Sequence, residues 1–150
     1  MGKLSRNKGK TFERQIASLI RSRFPHLAEN IRRSIQSRKA EESDVTGLPG
    51  FWLECQDAID PTPLAKLEQA ERDSLASETR KADHCVAITH RIRGRVIYAT
   101  MRLETVVALS WVTDAALTHG LIPITMTLDD FFTLITHRLR PERPIRKVAK

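Results

Sequence analysis

The sequence predicts an α/β fold, a small mixed β-sheet flanked by helices. Three observations carry that expectation. Helical patterns and short β-prone runs alternate along much of the chain, an order that gathers strands into a sheet and lays helices on its faces. His84 to Thr89 is almost continuously apolar, as befits a strand buried on both sides. The stretch Ser43-Asp44-Val45-Thr46-Gly47-Leu48-Pro49-Gly50-Phe51-Trp52-Leu53-Glu54-Cys55-Gln56 couples a Gly/Pro turn to a short apolar strand, with an acid on either side of the turn.

Residues 1–10 carry Lys3, Arg6, Lys8 and Lys10 with Gly2 and Gly9, the composition of a flexible basic arm able to touch phosphate. Thr11 is placed to cap a helix reaching Arg23, because Phe12, Ile16, Leu19 and Ile20 fall on one face. Glu13 sits at the flank of that stripe, where complementing the helix dipole is a sufficient reason for an acid. Pro25 ends the helix, and Ala28 to Ile35, interrupted by Arg32 and Arg33, is a strand candidate. A polar loop from Gln36 to Glu42 leads to the acid-flanked turn.

Beyond that turn, Asp57 to Asp60 is a polar exit, and Thr62-Pro63 marks the start of a helix predicted to reach Ala82. Lys66, Gln69 and Arg72 recur on it at helical spacing, either a ligand-facing set or simply a wet surface. A basic turn, Arg91 to Arg95, joins the His84–Thr89 strand to a hairpin partner over Arg95–Met101. A helix over Leu103–Thr118, a strand over Leu121–Met126 and a last helix capped by Thr127 complete the pattern. Phe131, Leu134, Ile135 and Leu139 form the core side of that last helix. Pro141 to Lys150 is a basic tail.

A chain of 150 residues is long enough for one domain with a real core, and 41% apolar against 29% charged residues is ordinary for a globular protein. The net charge of +7 favours an anionic partner, nucleic acid before acidic membrane. No apolar run approaches the ~20 residues of a membrane-spanning helix, and the start of the chain lacks a signal-peptide core, so a cytoplasmic location is expected. Cys55 and Cys85 sit in apolar runs without metal-type spacing and suit buried, reduced thiols. The histidines are scattered and form no ligand pattern.

Chemistry concentrates at the acids. On a strand, Trp52, Glu54 and Gln56 share one face, while Phe51, Leu53 and Cys55 share the other. Asp44, folded back across the turn, would lie beside Glu54. Two converging carboxylates repel unless a cation sits between them, and a hard divalent ion with oxygen ligands is the natural occupant. An Asp and a Glu around a turn also occur in proteins with no such ion, so the pair alone does not decide.

The order helix, strand, acid-bearing strand, helix, strand, strand resembles the core of the PD-(D/E)XK nuclease superfamily. Within it, the chain looks most like archaeal-type Holliday junction resolvases and their phage-encoded relatives. Lys8-Gly9-Lys10-Thr11-Phe12-Glu13-Arg14 is similar to their Lys-Gly-x-x-x-Glu-Arg opening, and Arg33-Ser34 to the Arg and Ser closing their second element. Ser43-Asp44-Val45 stands in place of Pro-Asp-Ile/Val, Glu54-Cys55-Gln56 in place of Glu-x-Lys, and Gln69 resembles a helical Gln found in many members. The likeness covers roughly residues 5–100.

The resemblance implies a restriction-endonuclease-like core; with the C-terminal α/β extension read from the later elements, which the resemblance does not cover, this makes a domain over residues 1–140, followed by the tail over 141–150. It further implies a Mg²⁺-dependent endodeoxyribonuclease, with Mn²⁺ as an alternative ion, acting on branched DNA as a homodimer, in a host cytoplasm if phage-encoded. Asp44, Glu54, the Cys55 backbone carbonyl and Glu13 would hold the metal, with Glu13, Asp44, Glu54 and Gln56 as the catalytic set. Lys8, Lys10, Arg32, Arg33, Lys66, Gln69 and Arg72 would face the nucleic acid. Gln56 departs from the pattern: it hydrogen-bonds water but lacks the positive charge of lysine. Either a nearby Lys or Arg substitutes, or the protein binds DNA on this fold with weakened or lost catalysis. A basic RNA- or ribosome-associated module is a third reading, without an aromatic stacking motif to support it.

Overall fold

A computed structural model of the chain describes residues 3–34, 42–77, 84–91, 96–110 and 122–139. Its elements are α1 (Lys3–Arg23), a 3₁₀ turn (Pro25–Leu27), β1 (Arg32–Arg33), β2 (Val45–Thr46), β3 (Phe51–Ala58), α2 (Pro63–Ala76), β4 (His84–Arg91), β5 (Ile97–Arg102), α3 (Leu103–Leu109), β6 (Pro123–Thr127) and α4 (Leu128–Thr136). The strands form one mixed sheet in the order β1-β2-β3-β4-β5-β6. Only β3 and β4 pair in parallel, and α2 is the crossover that parallel pairing requires. The expected α/β class with helices flanking a mixed sheet is thus observed.

The turn between the acids forms as its composition demands. Gly47 and Gly50 adopt φ values of 97° and 78°. A Cβ on Gly47 would lie 1.9 Å from the Asn30 carbonyl oxygen, so only glycine lets the turn pack against the chain entering β1. Val45 then pairs with Leu53 across the hairpin.

One face of the sheet is covered by α1, α3 and α4. Phe12, Ile16 and Ile20 of α1 share a core with Phe51, Leu53, Val86, Ile88, Ala99 and Met101 of the strands and with Phe131, Phe132 and Ile135 of α4. Phe131 meets Phe51 edge-on at 5.7 Å between ring centres, and Phe24 meets Phe132 at 5.8 Å. The C-terminal extension is therefore built into the main core, not appended to it. Across the sheet, α2 buries Leu67 and Ala70, with Trp52 and Ala87 buried on the strands of that side.

Several boundaries differ from the sequence expectation. The basic arm is helical from Lys3 onward, because its Leu, Lys and Arg residues are good helix formers that outweigh Ser5, Asn7 and Gly9. Glu13 consequently lies deep inside α1, where a helix-dipole role no longer applies. Of the strand expected over Ala28–Ile35, the described residues keep Arg32–Arg33 after the 3₁₀ turn, Pro25 having set up that turn, and Ile35 lies outside the described residues. Asp57 belongs to β3 instead of a polar exit, and pairs with His90 along β4. The His84–Thr89 strand and its hairpin partner are as expected, and Thr127 caps α4 by accepting from the Asp130 amide at 3.1 Å. The basic tail, most of the loop after Ser34, the second half of the Leu103–Thr118 helix and the turn at 92–95 lie outside the described residues.

Candidate active site on the acid-bearing hairpin

The β2–β3 hairpin brings the two acids together. Asp44 precedes β2, and its carboxylate accepts the Cys55 backbone N–H at 2.8 Å. That bond fixes the hairpin's register and aims Asp44 at β3. In an extended strand a residue's own N–H and C=O point to the same edge, so the Cys55 carbonyl also faces Asp44. Glu54 is held by its neighbour on the same face, the buried Trp52, whose indole donates to Oε1 at 3.1 Å.

A lysine lies between the two acids. Lys66, in the first turns of α2, places Nζ 2.9 Å from Glu54 Oε2 and 3.8 Å from Asp44 Oδ2. Nζ also donates to Gln69 Oε1 at 3.2 Å, and the Gln69 amide donates onward to Asp73 at 3.2 Å. Helical spacing along α2 thus builds a ladder that holds the ammonium in place. Glu13 reaches the cluster from α1 and is ion-paired with Arg33 of β1.

Three buried carboxylates meet two cations here, and burial together with these charges displaces the titration of Glu54, Glu13 and Lys66. Burial first, then the Asp44 charge, push Glu54 up to about 7 from 4.5, against the pull of Lys66 and the Trp52 indole. Burial and Asp44 likewise raise Glu13, with Arg33 opposing. Burial alone would lower Lys66; contact with Glu54 and the charge of Asp44 outweigh it and raise the lysine.

The expected residues divide as follows. Asp44, Glu54, Glu13 and the Cys55 backbone come together. Gln56 shares the Glu54 face but is directed elsewhere: its Oε1 accepts the Thr62 N–H at 2.9 Å, and its Nε2 lies 3.4 Å from Thr62 Oγ1. It thereby ties down the start of α2, whose capping residue Thr62 makes no side-chain cap of its own. Arg33 turns inward to Glu13, whereas Lys8, Lys10, Arg32 and Arg72 remain exposed. Lys66 and Gln69, expected to face nucleic acid, are engaged with the acids. The bond of the Trp52 indole to Glu54, the part of Asp73 and the inward role of Arg33 could not be read from the sequence. The alternation of Trp52 with Glu54 and the helical spacing of Lys66, Gln69 and Asp73 were the available signals.

Among the described residues no group of three or more His, Cys, Asp and Glu is arranged to hold a metal ion. A hydrated Mg²⁺ needs less, since it takes one or two carboxylates and completes its shell with water and substrate phosphate. The convergence of Asp44 and Glu54 on one cation, with negative charge in surplus, fits that need. Compared with models of known families, with curated proteins and with solved structures, the chain finds no match. No helix among the described residues is long and apolar enough to cross a membrane.

Proposed function

We propose that the chain is a metal-dependent endodeoxyribonuclease acting on branched DNA such as Holliday junctions. One observation carries the reading: two buried carboxylates from a single hairpin converge on one ammonium supplied by the next helix. Asp44 and Glu54 would hold Mg²⁺ or Mn²⁺, with the Cys55 carbonyl and Glu13 as further oxygens. Such an ion, when bound, supplies Lewis acidity and a more acidic water.

The chain's own residues do the rest. Trp52 and the Cys55 amide hold the two carboxylates in position before substrate arrives. Lys66 supplies the positive charge that Gln56 lacks, from α2 instead of β3, within reach of the same acids. Exposed Lys8, Lys10, Arg32 and Arg72, on a chain of net charge +7, would contact DNA phosphates and make binding salt-dependent. Symmetric cutting of a four-way junction needs two such sites, hence a homodimer, and a basic nucleic-acid enzyme of this kind belongs in the cytoplasm.

A DNA-binding protein without cleavage is the second reading, and the occupation of the acid pair by Lys66 favours it. Incubation of the protein with labelled four-way junction and matched duplex, with Mg²⁺ and with EDTA, separates the two. Mg²⁺-dependent cutting of the junction supports the nuclease. Tight binding without cutting under every condition leaves the binding protein.

A further inference from the structure

The position between Asp44 and Glu54 can hold one cation, and Lys66 already fills it. Its ammonium makes three close approaches, to Glu54 Oε2 at 2.9 Å, Gln69 Oε1 at 3.2 Å and Asp44 Oδ2 at 3.8 Å. A divalent ion ligated by the same carboxylates would sit about 2 Å from each oxygen, which leaves no room for the ammonium and sets like charges against each other. We infer that Lys66 and the divalent ion exclude one another at this carboxylate pair, so that metal enters only as the lysine swings out. The inference rests on reading the pair as a metal site.

The surroundings suit such an exchange. Lys66 is anchored by its helix, not by a rigid fork, and its long stem has rotamers to spare. Gln69, held by Asp73, accepts one hydrogen bond from the ammonium and stays in place when the lysine leaves. The start of α2 is pinned independently through Gln56 and Thr62, so release of the side chain need not loosen the helix. A displaced ammonium at the mouth of the site is free to meet a DNA phosphate, whose charge offsets the loss of two carboxylates. Metal and substrate would then load together, with Lys66 as the exchanged counter-ion.

Amine footprinting and Mn²⁺ binding test this without reference to cleavage. The wild-type chain is acylated at limiting reagent with and without saturating Mg²⁺, and modification of Lys66 is quantified by mass spectrometry against Lys8 and Lys10. Labelling of Lys66 should rise several-fold with Mg²⁺ while the exposed lysines stay constant; unchanged or reduced labelling overturns the inference. In parallel, Mn²⁺ affinity is read from loss of the free-ion electron paramagnetic resonance signal. Lys66→Met should bind Mn²⁺ about tenfold or more tightly than wild type, because a competing charge is gone, and Glu54→Gln should bind it poorly. Binding in wild type with no gain in Lys66→Met sinks the exclusion but spares the metal site. Absence of binding in wild type and Lys66→Met alike removes the metal-site reading, and the exclusion with it.

Discussion

The two halves of the sheet are built differently. From β4 to β6 the ladders are long and regular, with Ala87 to His90 pairing Ile97 to Thr100 and Tyr98 to Arg102 pairing Pro123 to Thr127. Apolar side chains of α4 lock that half to the common core. On the β1–β2 side of β3, pairing is reduced to two-residue strands, and beside the apolar residues of that side lie the charged groups of Glu13, Arg33, Asp44, Glu54 and Lys66. Burying such charges without full compensation is costly. The difference teaches that the packed half supplies the stability and rigidity on which the charged half depends. Breaking each half should accordingly have a different signature.

The largest effect is expected in the charged half. If the chain cuts DNA as proposed, Asp44→Asn and Glu54→Gln should each lower Mg²⁺-dependent cleavage by roughly 10³-fold or more, the scale of losing a key electrostatic group, with melting temperature kept or raised. The fold survives because each new amide keeps a carbonyl oxygen, which can still accept the Cys55 N–H in the first variant and the Trp52 indole N–H in the second. Variants that cut normally, or that unfold, would show that these acids serve the fold instead.

In the packed half the signature reverses. Phe131 is fully buried and meets Phe51 and Phe132. Truncation in Phe131→Ala should cost about 3–5 kcal/mol of stability, measured by denaturant unfolding, while cleavage per folded molecule stays near normal. A separate transition for each half would contradict the single shared core.

That division also explains what the sequence revealed. The packed half was legible because its signals are local: the apolar run of β4, the hairpin with β5 and the Thr127 cap with Asp130 all lie within one or two elements. The acid hairpin was legible for the same reason, through Gly47 and Gly50. Three features were not. Helix over the basic arm depended on weak propensities with no apolar stripe to announce it. The pairing of Arg33 with Glu13, and of Lys66 with both acids, joins residues from different elements. Nothing in the spacing said which cation would enter the cluster.

Burial of the acids, and after it the charge of Asp44, predict a pH dependence. Glu54 titrates near 7 in the folded chain against an ordinary 4.5. The folded state therefore holds this proton more tightly than the unfolded one, a contribution fully present below about 4.5 and lost as pH rises through about 7. Glu13, raised for the same reasons, adds in the same direction. Asp44→Asn removes one cause, so its melting temperature should gain on wild type progressively between those pH values. A constant difference across that window would mean that Asp44 and Glu54 do not share their charge.

The smallest effect is expected at Gln56, the position where the resembled motif would place lysine. Its amide is spent on Thr62, and on the proposed reading Lys66 supplies the missing charge. Gln56→Ala should therefore cost about 1 kcal/mol of stability, the scale of one net hydrogen bond, by freeing the amide of Thr62, the N-cap of α2. Cleavage should fall by less than about tenfold, since a slightly looser α2 only blurs the position of Lys66. Because Gln56 is half-exposed, Gln56→Lys should also fold. Its added ammonium should matter most in a Lys66→Gln background, where it can restore part of the lost cleavage. A collapse of cleavage in Gln56→Ala to the level of Asp44→Asn would mean that the glutamine leaves Thr62 and joins the chemistry. Lys66 would then be a counter-ion for the acids and not the substitute for the missing lysine.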